Sequence, residues 1–208
     1  LNRDKKVTYL LGPSYFPVRN EFKINKRPFI SKKAKKILIT MGGSDPSKIT
    51  LLVLNSLKNN EHKLDFTILI GPASKIKNEE VEKILENYTG NYHIIRNINN
   101  ISSLIYNSDI IISNSGLTKY EIALVGIPSI LISNKKKQAE FNDLFCKYGS
   151  SIHLGEYTRL NDEIISSACF KLLADFKKRS KMSINGRNII DSNGADRIYK
   201  KINHLISD

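Results

Sequence analysis

Short apolar segments alternate with helical segments over most of this 208-residue sequence. The first, residues 37–41 (ILITM), is of the kind that a parallel sheet buries on both faces. Strands are predicted at residues 37–41, 64–70, 92–95, 109–113, 129–132 and 151–154. Helices are predicted at residues 47–58, 79–87, 101–107, 116–125, 138–148, 161–174, 179–190 and 195–206. The alternation predicts an α/β fold with a Rossmann-like, doubly wound parallel sheet of about six strands.

The N-terminal part does not follow this alternation. Residues 6–11 (KVTYLL) have the composition of a strand, which Gly12-Pro13 would end. Residues 12–34 have no apolar period and contain Pro17 and Pro28, which is typical of a linker. We therefore expect the domain itself to occupy residues 35–208. Because the sequence begins with Leu1 and not with Met, we interpret it as part of a longer protein.

The formal net charge is +13, from 33 Lys and Arg against 20 Asp and Glu. Such an excess favours an anionic partner, either nucleotide phosphates or an acidic membrane surface. The Lys residues are scattered, however, and a solvated surface also explains them. Nucleic acid is disfavoured as a partner because no basic motif is interleaved with aromatic residues.

The sequence contains no signal for secretion, membrane insertion or metal binding. No apolar run reaches the roughly 18 residues that a membrane helix needs, and no secretory signal precedes the first segment. Cys146 and Cys169 are isolated from each other, which favours a reducing, cytoplasmic location. The four His residues have no metal-ligand spacing, so we predict no metal and no cofactor.

The first loop, residues 41–46 (MGGSDP), follows the first strand of the domain and precedes its first helix. Gly42 and Gly43 let the backbone approach a ligand closely. Ser44 or Asp45 can cap the helix, and free N–H groups at a helix start attract phosphate. A plain strand-to-helix turn would have the same composition. The loop lacks both the dinucleotide fingerprint and the Lys of a P-loop.

The second loop lies in residues 113–121 (SNSGLTKYE), a segment that follows the fourth strand and opens another helix. The backbone N–H groups of residues 116–118, with the hydroxyls of Ser115 and Thr118, can hold a diphosphate. Glu121 lies one turn further along that helix, where its carboxylate can accept both hydroxyls of a ribose. A capped helix with a solvent-facing Glu is the simpler alternative. Ligands of doubly wound sheets bind outside the carboxyl ends of the strands, where both loops lie.

Several motifs resemble the C-terminal domain of GT-B nucleotide-sugar enzymes, and the resemblance covers nearly the whole chain. They are residues 42–46 (GGSDP), 115–121 (SGLTKYE), 126–128 (GIP) and 138–142 (QAEFN). The closest group contains the UDP-N-acetylglucosamine transferase that makes lipid II. Two further segments, residues 10–22 and 191–198, resemble the interdomain linker and C-terminal segment of a narrower family. That family comprises the UDP-sugar hydrolase of pseudaminic acid synthesis and related spore-coat polysaccharide proteins.

The resemblance implies a role for each site residue. The diphosphate would be bound by residues of both loops, namely Gly42, Gly43, Ser44, Ser115, Gly116 and Thr118. Glu121 would bind the ribose, and the backbone at Ile98 would bind the uracil. Gln138 and Asn142 would contact the sugar. A polar face on a surface helix would explain Gln138 and Asn142 equally well.

The resemblance also implies that the full-length protein is an enzyme. The catalytic His of the family belongs to an N-terminal domain, of which residues 1–11 would be the last strand. We find no base with a matched partner in this sequence. The expected partners are therefore UDP or a UDP-sugar and that N-terminal domain, with weak UDP binding and no turnover by this chain alone.

Three functions remain open at this level. The first is a UDP-sugar hydrolase of a nonulosonic acid pathway, which the linker motif favours. The second is a GT-B glycosyltransferase, and a basic surface would suit one that works with a membrane-bound subunit. The third is a non-catalytic nucleotide-sugar-binding module fused to a sugar-activating enzyme. The sugar itself cannot be identified from these residues.

Overall fold

A computed structural model describes residues 7–23, 28–59, 62–114 and 116–207. The strands are β1 (Lys36–Thr40), β2 (Asp65–Ile70), β3 (Asn91–Arg96), β4 (Ile110–Ser113), β5 (Ser129–Ser133) and β6 (Ser151–Glu156). The helices are α1 (Ile49–Lys58), α2 (Asn78–Ile84), α3 (Ser102–Tyr106), α4 (Thr118–Val125), α5 (Lys136–Cys146), α6 (Asp162–Ala174), α7 (Phe176–Ile189) and α8 (Gly194–Ser207). Short 3-10 helices occur at Pro13–Tyr15, Asn20–Phe22 and Tyr157–Arg159. The predicted alternation within residues 35–208 is confirmed, with boundaries that differ by a few residues.

All six strands lie in one parallel sheet with the order β3-β2-β1-β4-β5-β6. Strand β1 pairs with β2 on one side and with β4 on the other, and Ile39 lies between Ile68 and Ile112. The winding direction reverses between β1 and β4, which makes this pair the topological switch point of the sheet. The predicted doubly wound parallel sheet is confirmed.

Apolar side chains cover both faces of the sheet. Along β1, Ile37 and Ile39 belong to one buried cluster, which Val53 of α1 joins, whereas Leu38 belongs to the other, which Ile122 of α4 joins. This alternation follows from the period of two in a strand. Each helix thereby fixes the loop that precedes it at the carboxyl edge of the sheet.

The segment before the domain differs from expectation at its start. Residues 7–11 were expected to form a strand, but they carry no strand, and Val7, Tyr9 and Leu11 are exposed. They have no strand partner within the described chain, whose sheet ends at β3 and β6. Their assignment as the last strand of an N-terminal domain stays a prediction. Lys6 lies outside the described residues.

The segment predicted as a linker packs firmly on the domain. Val18 and Phe22 are buried in the cluster that contains Leu38. The Phe16 ring stacks on that of Tyr120 in α4, with ring centroids 4.6 Å apart.

Among the described residues, no helix combines the length and hydropathy that crossing a membrane requires.

Arg179 is the largest fully buried side chain and joins three parts of the chain. Its guanidinium donates to the carbonyls of Leu172 in α6 (3.1 Å), Ser31 (2.7 Å) and Lys32 (3.3 Å). Burial lowers the pKa of Arg179 below its ordinary value, so charged hydrogen bonds offset part of the cost of burying the cation.

We expect Arg179→Met to lower the free energy of unfolding by about 2 kcal/mol, because three carbonyls lose a charged donor. Urea denaturation of both proteins measures the difference. Lys178→Met is the matched control, since Lys178 is the adjacent exposed residue. Equal stability of the Arg179 variant and the control would show that these hydrogen bonds contribute nothing.

Candidate functional site

The first and second loops meet at the carboxyl ends of β1 and β4. Asn114 joins them: its Nδ2 donates to the Met41 carbonyl (2.5 Å), and its Oδ1 accepts from the Gly116 N–H (3.1 Å). Gly42 has a φ of +75°, and a Cβ there would lie 3.2 Å from the Asn114 amide. The structure therefore brings Gly42 and Gly116 together, as expected from the switch-point rule.

Sequence reasoning missed the role of Asn114. The available signal was a short amide side chain directly after a buried strand that neighbours β1. Ser115, one of the ligands predicted in this loop, lies outside the described residues.

A third loop, which follows β2, holds the first loop from the opposite side. A Cβ on Gly71 would lie only 2.2 Å from the Gly42 carbonyl oxygen and 2.5 Å from that of Gly43. The Ala73 N–H donates to the Gly43 carbonyl (2.9 Å). By contrast, a Cβ on Gly43 would meet no atom within 4 Å. The first loop is thus held in place by Gly71 and Ala73, whereas the space beside the Gly43 Cα is open.

Asp45 caps the helix that follows the first loop. Its buried carboxylate accepts from the N–H groups of Ile49 (2.8 Å) and Thr50 (2.9 Å), with a φ of +39° at Asp45 itself. The alternative cap, Ser44, stays exposed. Helix α1 begins at Ile49, two residues later than predicted, because the cap reaches forward across a turn. The first N–H groups of α1 are therefore already satisfied and do not face a ligand.

Where the two loops meet, several backbone N–H groups have no hydrogen-bond partner among the described residues. Those of Gly43 and Ser44 in the first loop, and of Leu117 and Thr118 at the start of α4, donate no hydrogen bond to another described residue. Free N–H groups together with the positive end of a helix form a binding site for an anion. The site can therefore hold a phosphate or diphosphate without a lysine.

Glu121 is buried in α4 and engaged by the linker. Its Oε1 accepts from Arg19 Nε (2.6 Å) and its Oε2 from Arg19 Nη2 (2.8 Å). Its side chain is 5% exposed, whereas that of Arg19 is 50% exposed. The hydrogen bond to Glu121 raises the pKa of Arg19 above its ordinary value. The solvent-facing alternative for Glu121 is therefore wrong, and the contact with Arg19 was not predicted.

The two residues assigned to the sugar occupy different environments. Gln138 is half-buried near the start of α5, and its Oε1 accepts from the Asn134 N–H (3.1 Å). Asn142 is fully buried. Its Oδ1 accepts from Lys119 Nζ (3.0 Å), and its Nδ2 donates to Ser133 Oγ (3.0 Å). Only Gln138 is therefore partly open to solvent, because the polar atoms of Asn142 point into the protein.

Lys119 is buried and forms no ion pair within the described residues. Its Nζ lies 5.5 Å from the Tyr120 ring centroid and 5.2 Å from that of Phe145. Burial lowers the pKa of Lys119 below its ordinary value. Aromatic faces and the Asn142 carbonyl thus take the place of a carboxylate partner. Lys119 braces α4 against α5 and does not point at the open loops.

Ser133 Oγ also lies 2.9 Å from His153 Nε2, and His153 Nδ1 lies 2.6 Å from Asp143 Oδ1. A hydroxyl, an imidazole and a carboxylate in series are the components of a hydrolytic triad. Ser133 is fully buried, however, and no substrate reaches its oxygen. The series therefore holds β5, β6 and α5 together.

Ile98 follows β3 at the same carboxyl edge of the sheet and is partly buried against the cluster that contains Leu38. The preceding residue, Asn97, has a φ of +52°, which marks a sharp turn of the backbone. Ile98 thus lies at the edge of the sheet where the loops lie, two strands away from β1.

Neither cysteine offers an activated nucleophile. Cys146 and Cys169 are both free thiols. Burial raises the pKa of each to about 12, so almost none of either is thiolate at neutral pH. No group of three or more metal-ligating side chains occurs within the part of the chain that the structure describes. The described residues therefore give the two loops neither a reactive thiol nor a metal centre.

Comparison with known families gives a match over most of the chain. Residues 37–195 match the model of the glycosyltransferase family 28 C-terminal domain. An uncharacterized protein of Methanocaldococcus jannaschii is 33% identical over 159 residues, which are 74% of this chain and 33% of that protein. The spore coat polysaccharide biosynthesis protein SpsG of Bacillus subtilis is 23% identical over 188 residues, 90% of this chain and 56% of SpsG.

A third relative carries two activities in its name. It is the pseudaminic acid cytidylyltransferase and UDP-2,4-diacetamido-2,4,6-trideoxy-beta-L-altropyranose hydrolase of Helicobacter pylori. It is 31% identical over 128 residues, 62% of this chain and 22% of that protein. The chain thus spans between about a fifth and a little over half of the length of these three relatives.

Solved structures share the fold at low sequence identity. MurG of Acinetobacter baumannii superposes with a TM-score of 0.67 at 16% identity, over 86% of this chain and 55% of MurG. The UDP-GlcNAc 2-epimerase of Neisseria meningitidis, bound to UDP-GlcNAc, superposes with a TM-score of 0.59 at 20% identity, over 86% of this chain and 46% of the epimerase. The predicted C-terminal half of a GT-B fold is confirmed as the fold of this chain.

Proposed function

Because the chain belongs to the glycosyltransferase family 28 C-terminal domain family, we propose that it binds the UDP part of a nucleotide sugar at the first and second loops. The observation that carries the proposal is that the N–H groups of residues 43, 44, 117 and 118 have no hydrogen-bond partner among the described residues. They come from two loops that Asn114 holds together at the switch point. A diphosphate is the ligand whose charge and size suit two adjacent sets of donors.

The remaining contacts follow from the positions of the other residues. Thr118 is the first residue of α4, and its hydroxyl would contact the phosphates. The Ser115 hydroxyl would contact them as well. Glu121 lies one turn along the same helix and would accept the ribose hydroxyls. The backbone at Ile98 would read the uracil. Gln138 is the better candidate for a sugar contact, because the Asn142 amide is already used inside the protein.

We assign the whole protein to UDP-sugar hydrolysis in nonulosonic acid or surface polysaccharide synthesis. The motif at residues 10–22 and the similarity to the Helicobacter pylori and Bacillus subtilis proteins favour it. The catalytic base would come from the N-terminal domain, and the reaction would take place in the cytoplasm. A GT-B transferase remains the second candidate, which the structural similarity to MurG favours. A non-catalytic module is the third.

Isothermal titration with UDP and UMP tests the binding proposal. We expect UDP to bind at millimolar concentrations and UMP to bind about tenfold more weakly, because the second phosphate supplies the charge-assisted hydrogen bonds. Cytidine diphosphate is the control for base reading. Absence of heat with millimolar UDP, or equal affinity for UDP and UMP, would contradict a diphosphate site at these loops.

Release of UDP from a UDP-linked diacetamido sugar by the longer protein separates the activities. A hydrolase produces free sugar in water alone, whereas a transferase requires an acceptor. A non-catalytic module releases no UDP under either condition.

A further inference from the structure

Arg19 and Glu121 form a paired, two-point contact across 102 positions of sequence. Both oxygens of the Glu121 carboxylate accept a hydrogen bond from the same guanidinium, at 2.6 and 2.8 Å. Such a fork fixes the plane of a carboxylate as well as its position. Glu121 is thereby held in one orientation by a residue from the linker segment.

We propose that Arg19 is a positioning residue that makes this site selective for ribonucleotides over 2′-deoxyribonucleotides. The inference rests on the proposed function, in which Glu121 accepts the ribose hydroxyls. Each carboxylate oxygen can accept two hydrogen bonds. Arg19 uses one acceptor position on each oxygen, so one remains on each for the 2′- and 3′-hydroxyls. The guanidinium of Arg19 also offsets part of the cost of burying this carboxylate.

Arg19 is itself held in place. Its guanidinium carbon lies 5.3 Å from the centroid of the Phe22 ring, and its Nη1 lies 3.3 Å from Glu21. Phe22 and Val18 are buried in the core of the domain. The orientation of Arg19 is therefore set by the packing of residues 18–22, which a Lys at position 19 would not reproduce because it lacks the planar fork.

Burying a carboxylate without a partner is costly. Without Arg19, the plane of the Glu121 carboxylate is no longer fixed, so it no longer accepts from both ribose hydroxyls at once. In the opposite role, Arg19 would occupy Glu121 and would have to leave before a nucleotide binds. The two roles predict opposite changes in affinity.

The experiment compares UDP with 2′-deoxy-UDP by isothermal titration on the wild-type chain and on Arg19→Lys, Arg19→Gln and Arg197→Gln. Arg197 is the matched control, because it also braces the linker, donating to the Ser14 carbonyl (2.9 Å) and pairing with Asp191, yet does not contact Glu121. Thermal unfolding of each variant confirms that it is folded before titration.

We expect the wild-type chain to prefer UDP over 2′-deoxy-UDP by about tenfold, the contribution of one hydrogen bond to a charged acceptor. In Arg19→Lys the preference falls to within about twofold and UDP binds about tenfold more weakly. Arg197→Gln keeps the wild-type preference. A purely structural role for Arg19 would lower the affinity for both nucleotides equally and leave their ratio unchanged.

Two other results overturn the proposal. A preference that survives in both Arg19 variants shows that Glu121 does not need Arg19 in order to read the ribose. Tighter UDP binding by these variants shows that Arg19 blocks the site. Failure of the wild-type chain to bind UDP refutes the proposed function instead, which keeps the two failures distinguishable.

Discussion

Glu121→Ala is expected to weaken UDP binding about a hundredfold, the largest effect of any single side-chain change at this site. The variant removes the acceptors for both ribose hydroxyls, and each hydrogen bond to a charged group contributes about 1.5–3 kcal/mol. Stability should change far less than affinity, because Arg19 is half-exposed and regains water when its partner is removed.

Isothermal titration measures the affinity, and thermal unfolding checks the fold. Glu163→Ala is the control, since it removes an exposed carboxylate from the first turn of α6, outside the proposed site. A Glu121 variant that binds UDP within about threefold of the control would remove Glu121 from the nucleotide site.

Gly71→Ala and Gly43→Ala should separate stability from binding. A Cβ at position 71 would lie 2.2 Å from the Gly42 carbonyl oxygen, and that backbone is fixed by the bond from Ala73 to Gly43. We expect a loss of about 3 kcal/mol of stability, because the strand end and the first loop must shift.

At position 43 we expect the opposite pattern, in which binding weakens and stability does not change. A Cβ there meets no atom of the chain, so the unfolding free energy should stay within about 0.5 kcal/mol of the wild-type value. UDP binding should nevertheless weaken about tenfold or more, because the methyl group lies where a phosphate must approach the backbone closely. Urea denaturation and titration on the same samples measure both quantities. Wild-type affinity in Gly43→Ala would show that the ligand does not contact this part of the first loop.

Much of the fold could be predicted because it depends on local patterns. Six short apolar runs, separated by amphipathic segments, allow few arrangements other than a parallel sheet with helices on both faces. The same rules located the first and second loops at one edge, since every parallel strand ends there. Residues 7–11 show the limit of such patterns. Their composition suits a strand, but strand formation depends on a neighbour that composition does not specify.

Contacts between distant residues were not accessible from the sequence. The pairing of Arg19 with Glu121 depends on how residues 18–22 pack against α4, which no periodicity encodes. The orientation of Asn142 has a similar origin. One turn of helix separates it from Gln138, but Lys119 and Ser133 draw its amide into the protein. The sequence limits the residue that caps α1 to Ser44 or Asp45. Only the structure shows that the cap is Asp45.

The linker also has a different character from a flexible tether. Phe16, Val18 and Phe22 attach it to α4 and the core, and Arg19 connects it to a predicted nucleotide contact. In a longer protein the direction in which the chain leaves this domain would therefore depend on α4, the helix that we propose contacts the nucleotide. The linker contacts this helix directly, through Phe16 on Tyr120 and through Arg19 on Glu121.

The basic surface offers a competing place for an anion. Lys32, Lys33, Lys35 and His62 line a cavity of about 360 Å³ at the amino ends of the strands, opposite the two loops. An anion attracted by charge alone would bind there, whereas one recognised by backbone N–H groups would bind at the switch point. The place where UDP binds therefore distinguishes attraction by charge from recognition by backbone N–H groups.

The most direct test is a titration of the ¹⁵N-labelled chain with UDP, followed through the amide resonances. We predict that the largest shift changes occur at Gly43, Ser44, Leu117 and Thr118, and that residues 32–35 change little. Shift changes centred on residues 32–35, with the four amides of the loops unaffected, would contradict a nucleotide site at the β1–β4 switch point.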